Sequence, residues 1–246
     1  MKILAIDTAT EACSAALSID NEVITRYQLA PREHSRLILK MIDRLMCEAE
    51  LSLSALDALA FGQGPGAFMG IRIAAGVTQG IAYARDLPVI PVSNLMAIAE
   101  VTRKQTAAEH VLCAIDARMK EIYWAAYQYN NQGEWMEVID ECVCDPQTMI
   151  YPEHGSWTAA GSGWASYIDS MTDRLKNSNI DIETLLPACL PSAAAIARIA
   201  CHNYQHGRMV NAEQAQPVYL RNNVASKPRQ KTFMALLNGN TISSES

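Results

Sequence analysis

Short apolar runs and two kinds of periodicity alternate along the first hundred residues. Residues 2–8 are mostly apolar until Asp7 and Thr8, the pattern of a strand buried on both faces. Residues 13–19 and 22–29 are further strand-like runs, and Asp20-Asn21 between them is a tight-turn signal, so a hairpin is predicted. Pro31 ends that sheet and a helix is predicted over 33–50. Its apolar positions are Leu37, Ile38, Leu39, Met41, Ile42, Leu45, Met46 and Ala49. They sweep about 200° of arc, where a helix docked on one core needs about 100°. The width has two readings: a helix wedged between its own sheet and a neighbouring helix, or a second apolar strip that meets another chain. A strand over 58–61, a helix over 70–85 and a strand over 87–92 follow. Ser93 is a fair N-cap for a helix reaching Lys104.

The polar stretch 103–109 places a boundary between an N-terminal lobe, 1–104, and a C-terminal lobe, 105–225. The second lobe reads as strands 111–116, 121–129, 135–142 and 157–160, then helices 164–176 and 192–206. A loose internal echo is present: Asp7 ends the first strand of one half and Asp116 the first strand of the other. From Ser226 the chain is polar, with Lys227, Arg229 and Lys231, and 226–246 is expected to be a disordered tail. The fold class is α/β.

Composition narrows the function. A net charge of −6 over 246 residues excludes a surface given over to nucleic acid, because neutralising phosphates needs clustered Lys and Arg. The seven cysteines are odd in number and irregularly spaced, and Cys142-Val143-Cys144 is not the C-x-x-C pair of zinc ribbons. Reduced, mostly buried thiols in a cytoplasmic protein are expected. No apolar run approaches the ~18 residues of a membrane span, and the start of the chain is too soon acidic for a signal peptide.

Candidate chemistry concentrates at Gly62-Gln63-Gly64-Pro65-Gly66 and the following Ala67 to Gly70. A strand, a glycine turn and a helix start can bring backbone N–H groups to an anion. The match to the dinucleotide fingerprint is weak: no acidic residue ends the next strand, and Pro65 lacks a donor. The alternative is a tight turn packed against its neighbours. Asp7, Thr8 and Thr10 stand at the carboxyl end of the first strand, where α/β sheets collect ligands. They serve a phosphate or Mg²⁺ site with the glycine turn, or they cap a turn. On the 70–85 helix, Arg72, Gly76, Gln79 and Tyr83 share a small, polar face suited to close approach of another backbone. His202 and His206 are four apart on a predicted helix, with no Glu at 203 and no evident third ligand, so no metal is expected there. His34 reads as a surface or partner contact. No G-x-S-x-G elbow occurs, and Gly161-Ser162-Gly163 is a turn or an anion nest.

Four stretches together carry a resemblance: residues 3–10, 64–72, 115–124 and 217–224. With them the chain resembles the TsaB (YeaZ) family over its length, the tail excepted. The resemblance implies a two-lobed actin-like ATPase fold (ribonuclease H-like, with mixed sheets flanked by helices). It implies a non-catalytic scaffold needed to form N6-threonylcarbamoyladenosine at position 37 of tRNAs reading A-starting codons. The partners would be a TsaD-like paralogue in a heterodimer and a TsaE-like ATPase, with a homodimer when alone and tRNA reached only through the complex. ATP and metal are expected on those partners, and no cofactor on this chain. Asn94 and Ile98 stand where TsaD-like chains place metal-binding histidines, and the second phosphate turn, 116–120, has no glycine. Ala67 and Met69 replace two hydroxyl residues of the family loop. Asp7, Thr8, Thr10, Gly64, Gly66 and Gly70 are therefore expected as a degenerate phosphate-loop remnant. His34, Leu37, Ile38, Met41, Leu45, Arg72, Gly76, Gln79 and Tyr83 are expected at the partner interface. An active nucleotide-dependent phosphotransferase of the same fold, or a metallopeptidase, is the alternative.

Overall fold

The first sheet is a three-stranded meander extended by two parallel strands. The structure is a computed structural model that describes residues 1–20, 22–176 and 178–221. Strands β1 (Lys2–Asp7), β2 (Ala12–Ile19), β3 (Glu22–Leu29), β4 (Ala58–Gly64) and β5 (Val89–Ser93) lie in the order β3-β2-β1-β4-β5. The first two pairings are antiparallel, while β1–β4 and β4–β5 are parallel. The second sheet holds β6 (His110–Arg118), β7 (Glu121–Tyr129), β8 (Trp135–Cys144), β9 (His154–Ala160) and β10 (Asn179–Leu186), in the order β10-β9-β6-β7-β8. Read from β8, the same topology is repeated, so the echo of Asp7 and Asp116 marks equivalent positions in two copies of one plan.

Helices α1 (His34–Glu48), α2 (Phe68–Arg85), α3 (Asn94–Thr106), α4 (Ser162–Leu175) and α5 (Ala193–Gln205) separate and cover the sheets. Leu4, Ile6, Cys13, Ala15 and Leu17 face α1 and α2 across one core. Ile3, Ala5 and Ala16 point the other way, into a core shared with α3, α5 and Val111, Cys113 and Ile115 of β6. Leu112, Ala114, Trp124 and Ala126 meet Trp164 and Met171 of α4 on the far side. The layers therefore run α1/α2, sheet, α3/α5, sheet, α4. Strands buried on both faces need the unbroken apolar runs seen in β1 and β6.

Three boundaries differ from the sequence reading. β4 runs through to Gly64 and α2 begins at Phe68, so the glycine stretch is strand end and turn together. β9 begins at His154, and β10 was not expected. β10 alternates half-buried Ile180 and Ile182 with exposed polar residues, because it is a sheet edge paired only with β9. The expected tail and the end of the fourth motif lie outside the described residues. Among the described residues, no helix is long and apolar enough to cross a membrane. All seven cysteines are free; Cys13, Cys113, Cys189 and Cys201 are buried, and Cys47 is exposed.

Candidate functional site

The glycine turn is packed against the end of β1, and the N–H groups of Gly64 and Ala67 are already bonded within the chain. The Gly64 N–H donates to Asn94 Oδ1 at 2.8 Å, Pro65 has no N–H, and the Ala67 N–H donates to the Ala9 carbonyl at 2.7 Å. Thr8 Oγ1 donates to the Gly70 carbonyl at 2.6 Å. Gly64 has φ +114° and precedes a cis peptide bond to Pro65, a backbone that L side chains rarely adopt. A Cβ at Gly66 would lie 2.5 Å from the Ala9 carbonyl oxygen, and one at Gly62 2.7 Å from Asp7 Oδ1. The glycines thus allow two backbone segments and a buried side-chain network to touch.

Asp7 is at the centre of that network. Its Oδ1 accepts from Asn94 Nδ2 at 2.8 Å and from the Ala9 N–H at 3.2 Å. Its Oδ2 has no hydrogen-bond partner among the described residues, and neither has the buried Nε2 of His34. Asn94, expected at a position where TsaD-like chains place an imidazole, links the carboxylate to the glycine turn; Ile98 is core. Burial pushes the Asp7 carboxyl up to about 6, against the pull of its hydrogen bonds from Ala9 and Asn94. A carboxyl raised on folding costs nothing below the ordinary 3.8, and its full cost is present above about 6. Asp7→Asn retains an oxygen for Asn94 and removes the charge. We expect it to stabilise the fold by up to about 3 kcal/mol above pH ~7, with the gain fading between pH ~6 and ~4. Denaturant melts across that range check this; a pH-independent difference would refute a buried, raised Asp7.

In the second sheet the equivalent acid is fully engaged. Asp116 accepts from the Arg118 N–H at 2.8 Å, Tyr167 Oη at 3.1 Å, Arg118 Nη1 at 3.1 Å and Ser166 Oγ at 3.3 Å. Arg118, Met119 and Lys120 follow with φ of 62°, 57° and 65°, a left-handed turn made without glycine. Ser162 Oγ accepts from the Asp116 N–H at 3.1 Å, so the Gly161-Ser162-Gly163 segment braces this turn.

Between the two turns lies a cleft of about 720 Å³, lined by Thr10, Gly66, Asp116 and Ser162 among others. Residues 217–221 cross its mouth, which the sequence reading missed because every contact is long-range. The Val218 N–H donates to the Gln63 carbonyl at 2.8 Å. Tyr219 Oη accepts from Arg72 Nε at 2.8 Å, and the Arg72 guanidinium lies 3.6 Å from the Phe68 ring centroid. Arg221 pairs with Glu121 of the second sheet.

The helix faces resolve the two readings of α1. His34, Ile38, Met41 and Leu45, expected at a partner interface, are buried in the chain's own interior. α1 is wedged between β2 and α2, which use up most of its wide apolar arc. Leu37 is half-buried, and Leu39 is the large apolar side chain of α1 left exposed. On α2, by contrast, Arg72, Gly76 and Gly80 are exposed, Gln79 is half-buried, and Met69 and Tyr83 are 64% and 76% exposed. A Cβ on Gly76 or Gly80 would meet nothing within 4 Å. Among the described residues, the face around Gly76 and Gly80 is therefore uncovered.

A duplicated plan of this kind, with a glycine turn meeting the first strand of one copy, defines the class. The family model described as TsaD, tRNA N6-adenosine threonylcarbamoyltransferase, matches residues 21–229. The chain is 44% identical over 233 residues to the tRNA threonylcarbamoyladenosine biosynthesis protein TsaB of Escherichia coli, covering 92% of this chain and 97% of that protein. The TsaB of Haemophilus influenzae is 39% identical over 235 residues, with 92% and 96% covered. The solved structure of YeaZ from Pseudomonas aeruginosa superposes with a TM-score of 0.83 at 42% identity, over 89% of this chain and 99% of that one. The chain belongs to the TsaB (YeaZ) family, and its two mixed sheets flanked by helices are the actin-like, ribonuclease H-like fold.

Proposed function

We propose that this chain acts in the formation of N6-threonylcarbamoyladenosine at position 37 of tRNA as a non-catalytic subunit. It pairs with a TsaD-like paralogue, and a TsaE-like ATPase joins the pair. The observation that carries the reading is the bare face of α2, where Gly76 and Gly80 leave room for a partner backbone between Met69, Arg72 and Tyr83. Small residues at a helix surface let a second helix pack at short range, and exposed aromatic and Met side chains suit the rim of such a contact. The relatives named for threonylcarbamoyladenosine biosynthesis support the pathway. The absence of catalysis is supported by the glycine turn, whose N–H groups at Gly64 and Ala67 already bond Asn94 and Ala9. tRNA is reached through the complex, and ATP and metal belong to the partners.

Reconstitution tests this. TsaD-like and TsaE-like proteins, with the synthase that makes threonylcarbamoyl-AMP, are expected to modify tRNA only when this chain is added. Equal modification without it sinks the proposal. A second reading, a nucleotide-dependent phosphotransferase, draws on the unpartnered Oδ2 of the buried Asp7, two and three residues before Ala9 and Thr10 of the cleft lining. It requires Mg-ATP binding by the isolated chain, and calorimetry showing no heat removes it. The metallopeptidase alternative meets only Asn94 and the buried Ile98 at the histidine positions.

A further inference from the structure

The end of α5 meets the hairpin between β7 and β8. His202 and His206 lie one helical turn apart with their rings stacked, 4.1 Å between centroids. The sequence offers no third ligand, but the fold supplies one: Glu134, at the foot of β8, places Oε1 2.6 Å from His202 Nε2. One donor atom from each of the three lies within 4.8 Å of the others. We propose that Glu134, His202 and His206 form a binding site for a divalent transition ion of the zinc class.

The donor set fits that ion. Two imidazoles and a carboxylate are borderline ligands, preferred by Zn²⁺ or Co²⁺ over Mg²⁺ or Ca²⁺. Donors around a tetrahedral ion with bonds of about 2.0–2.1 Å stand about 3.3 Å apart, so the 2.6 Å edge between His202 and Glu134 must lengthen and the wider edges to His206, within 4.8 Å, must close. His206 is exposed, while His202 and Glu134 are half-buried. The Nδ1 of His206 is 2.8 Å from the His202 carbonyl oxygen. A proton donated there leaves Nε2 with its lone pair, the arrangement by which ligating histidines are commonly oriented. At His202 the ion replaces the proton now shared with Glu134.

Arg208 is the built-in competitor. Its Nη2 bonds the same Glu134 Oε1 at 2.8 Å, and its side chain is 55% exposed. An exposed ion pair of this kind is weak, so a divalent cation can displace it. Occupation would tie α5, which packs on β1, β2 and β4, to a hairpin of the other sheet. The ion would therefore link the two halves.

The test titrates the chelator-stripped full-length chain with CoCl₂ near neutral pH, following visible absorption, and repeats the titration with ZnCl₂ by calorimetry. One equivalent is expected to bind, with weak d–d bands and no thiolate charge-transfer band. His202→Gln, and independently the exposed His206→Gln, should weaken binding by at least about 10–100-fold, the loss usual for removing even a partner that only orients a ligand. Arg208→Gln should tighten it by about threefold or more, which a site unrelated to this triad would not do. Saturating Zn²⁺ should raise the melting temperature of the wild type and not of His202→Gln. Three results would each overturn the site: no binding, affinity unchanged in both histidine variants, or a thiolate band lost on replacing Cys47 or Cys142.

Discussion

Gly76→Trp is expected to abolish co-purification with the TsaD-like partner while leaving the fold of this chain intact. A Cβ at 76 meets none of the described residues within 4 Å, so none of them need be displaced, and losing a mid-helix glycine favours the helix slightly. In a helix-to-helix contact the same indole occupies the volume reserved for the partner backbone. Overfilling the centre of such an interface should weaken binding by at least about 100-fold, or roughly 2.7 kcal/mol. Leu39→Asp on the exposed side of α1 is the control; it should change binding by less than about fivefold, because the buried Ile38, Met41 and Leu45 keep α1 from presenting a second face. Pull-down and calorimetry with the purified partner read both. Gly76→Trp pairing as the wild type does would remove α2 from the interface, and a large loss with Leu39→Asp would move it to α1.

The contrast between α1 and α2 shows what the sequence could and could not carry. Continuous apolar runs identified β1 and β6, and the hairpin at Asp20 followed from turn chemistry, because these signals are local. The width of the α1 arc was also legible, but not its cause. Residues from 38 to 46 meet a sheet and a helix at once, and the sequence does not say which neighbours share a helix. β10 was missed because its edge position leaves it half-polar. At the site, the glycine turn and Asp7 could be placed side by side from β-strand logic. Asn94 reads from sequence only as a lost imidazole. Its role as the link between Asp7 and Gly64 depends on contacts 87 and 30 residues apart, and the third ligand offered by Glu134 on one 68 residues apart.

Gly70→Ala is expected to be strongly damaging for a single added methyl, although alanine is normally the better helix residue. Gly70 sits in the first turn of α2, where the Thr8 carbonyl oxygen would lie far inside 3.0 Å of an added Cβ, and the Gly70 carbonyl accepts from Thr8 Oγ1. Neither the carbonyl at the end of β1 nor the start of α2 can yield alone. Asp7, Ala9, Asn94 and Ala67 hydrogen-bond one into the next around them. Strain of this kind, placed between backbones rather than flexible side chains, should cost about 3–5 kcal/mol. For a chain of this size that corresponds to a fall in melting temperature of roughly 10 °C. Gly76→Ala, six residues further along the same helix in open space, should instead stabilise by about 0.5–1 kcal/mol. Thermal melts of the two variants separate helix propensity from close approach. If Gly70→Ala melts with or above the wild type, β1 and α2 do not touch through this glycine, and the reading of the turn as a packed joint fails with it.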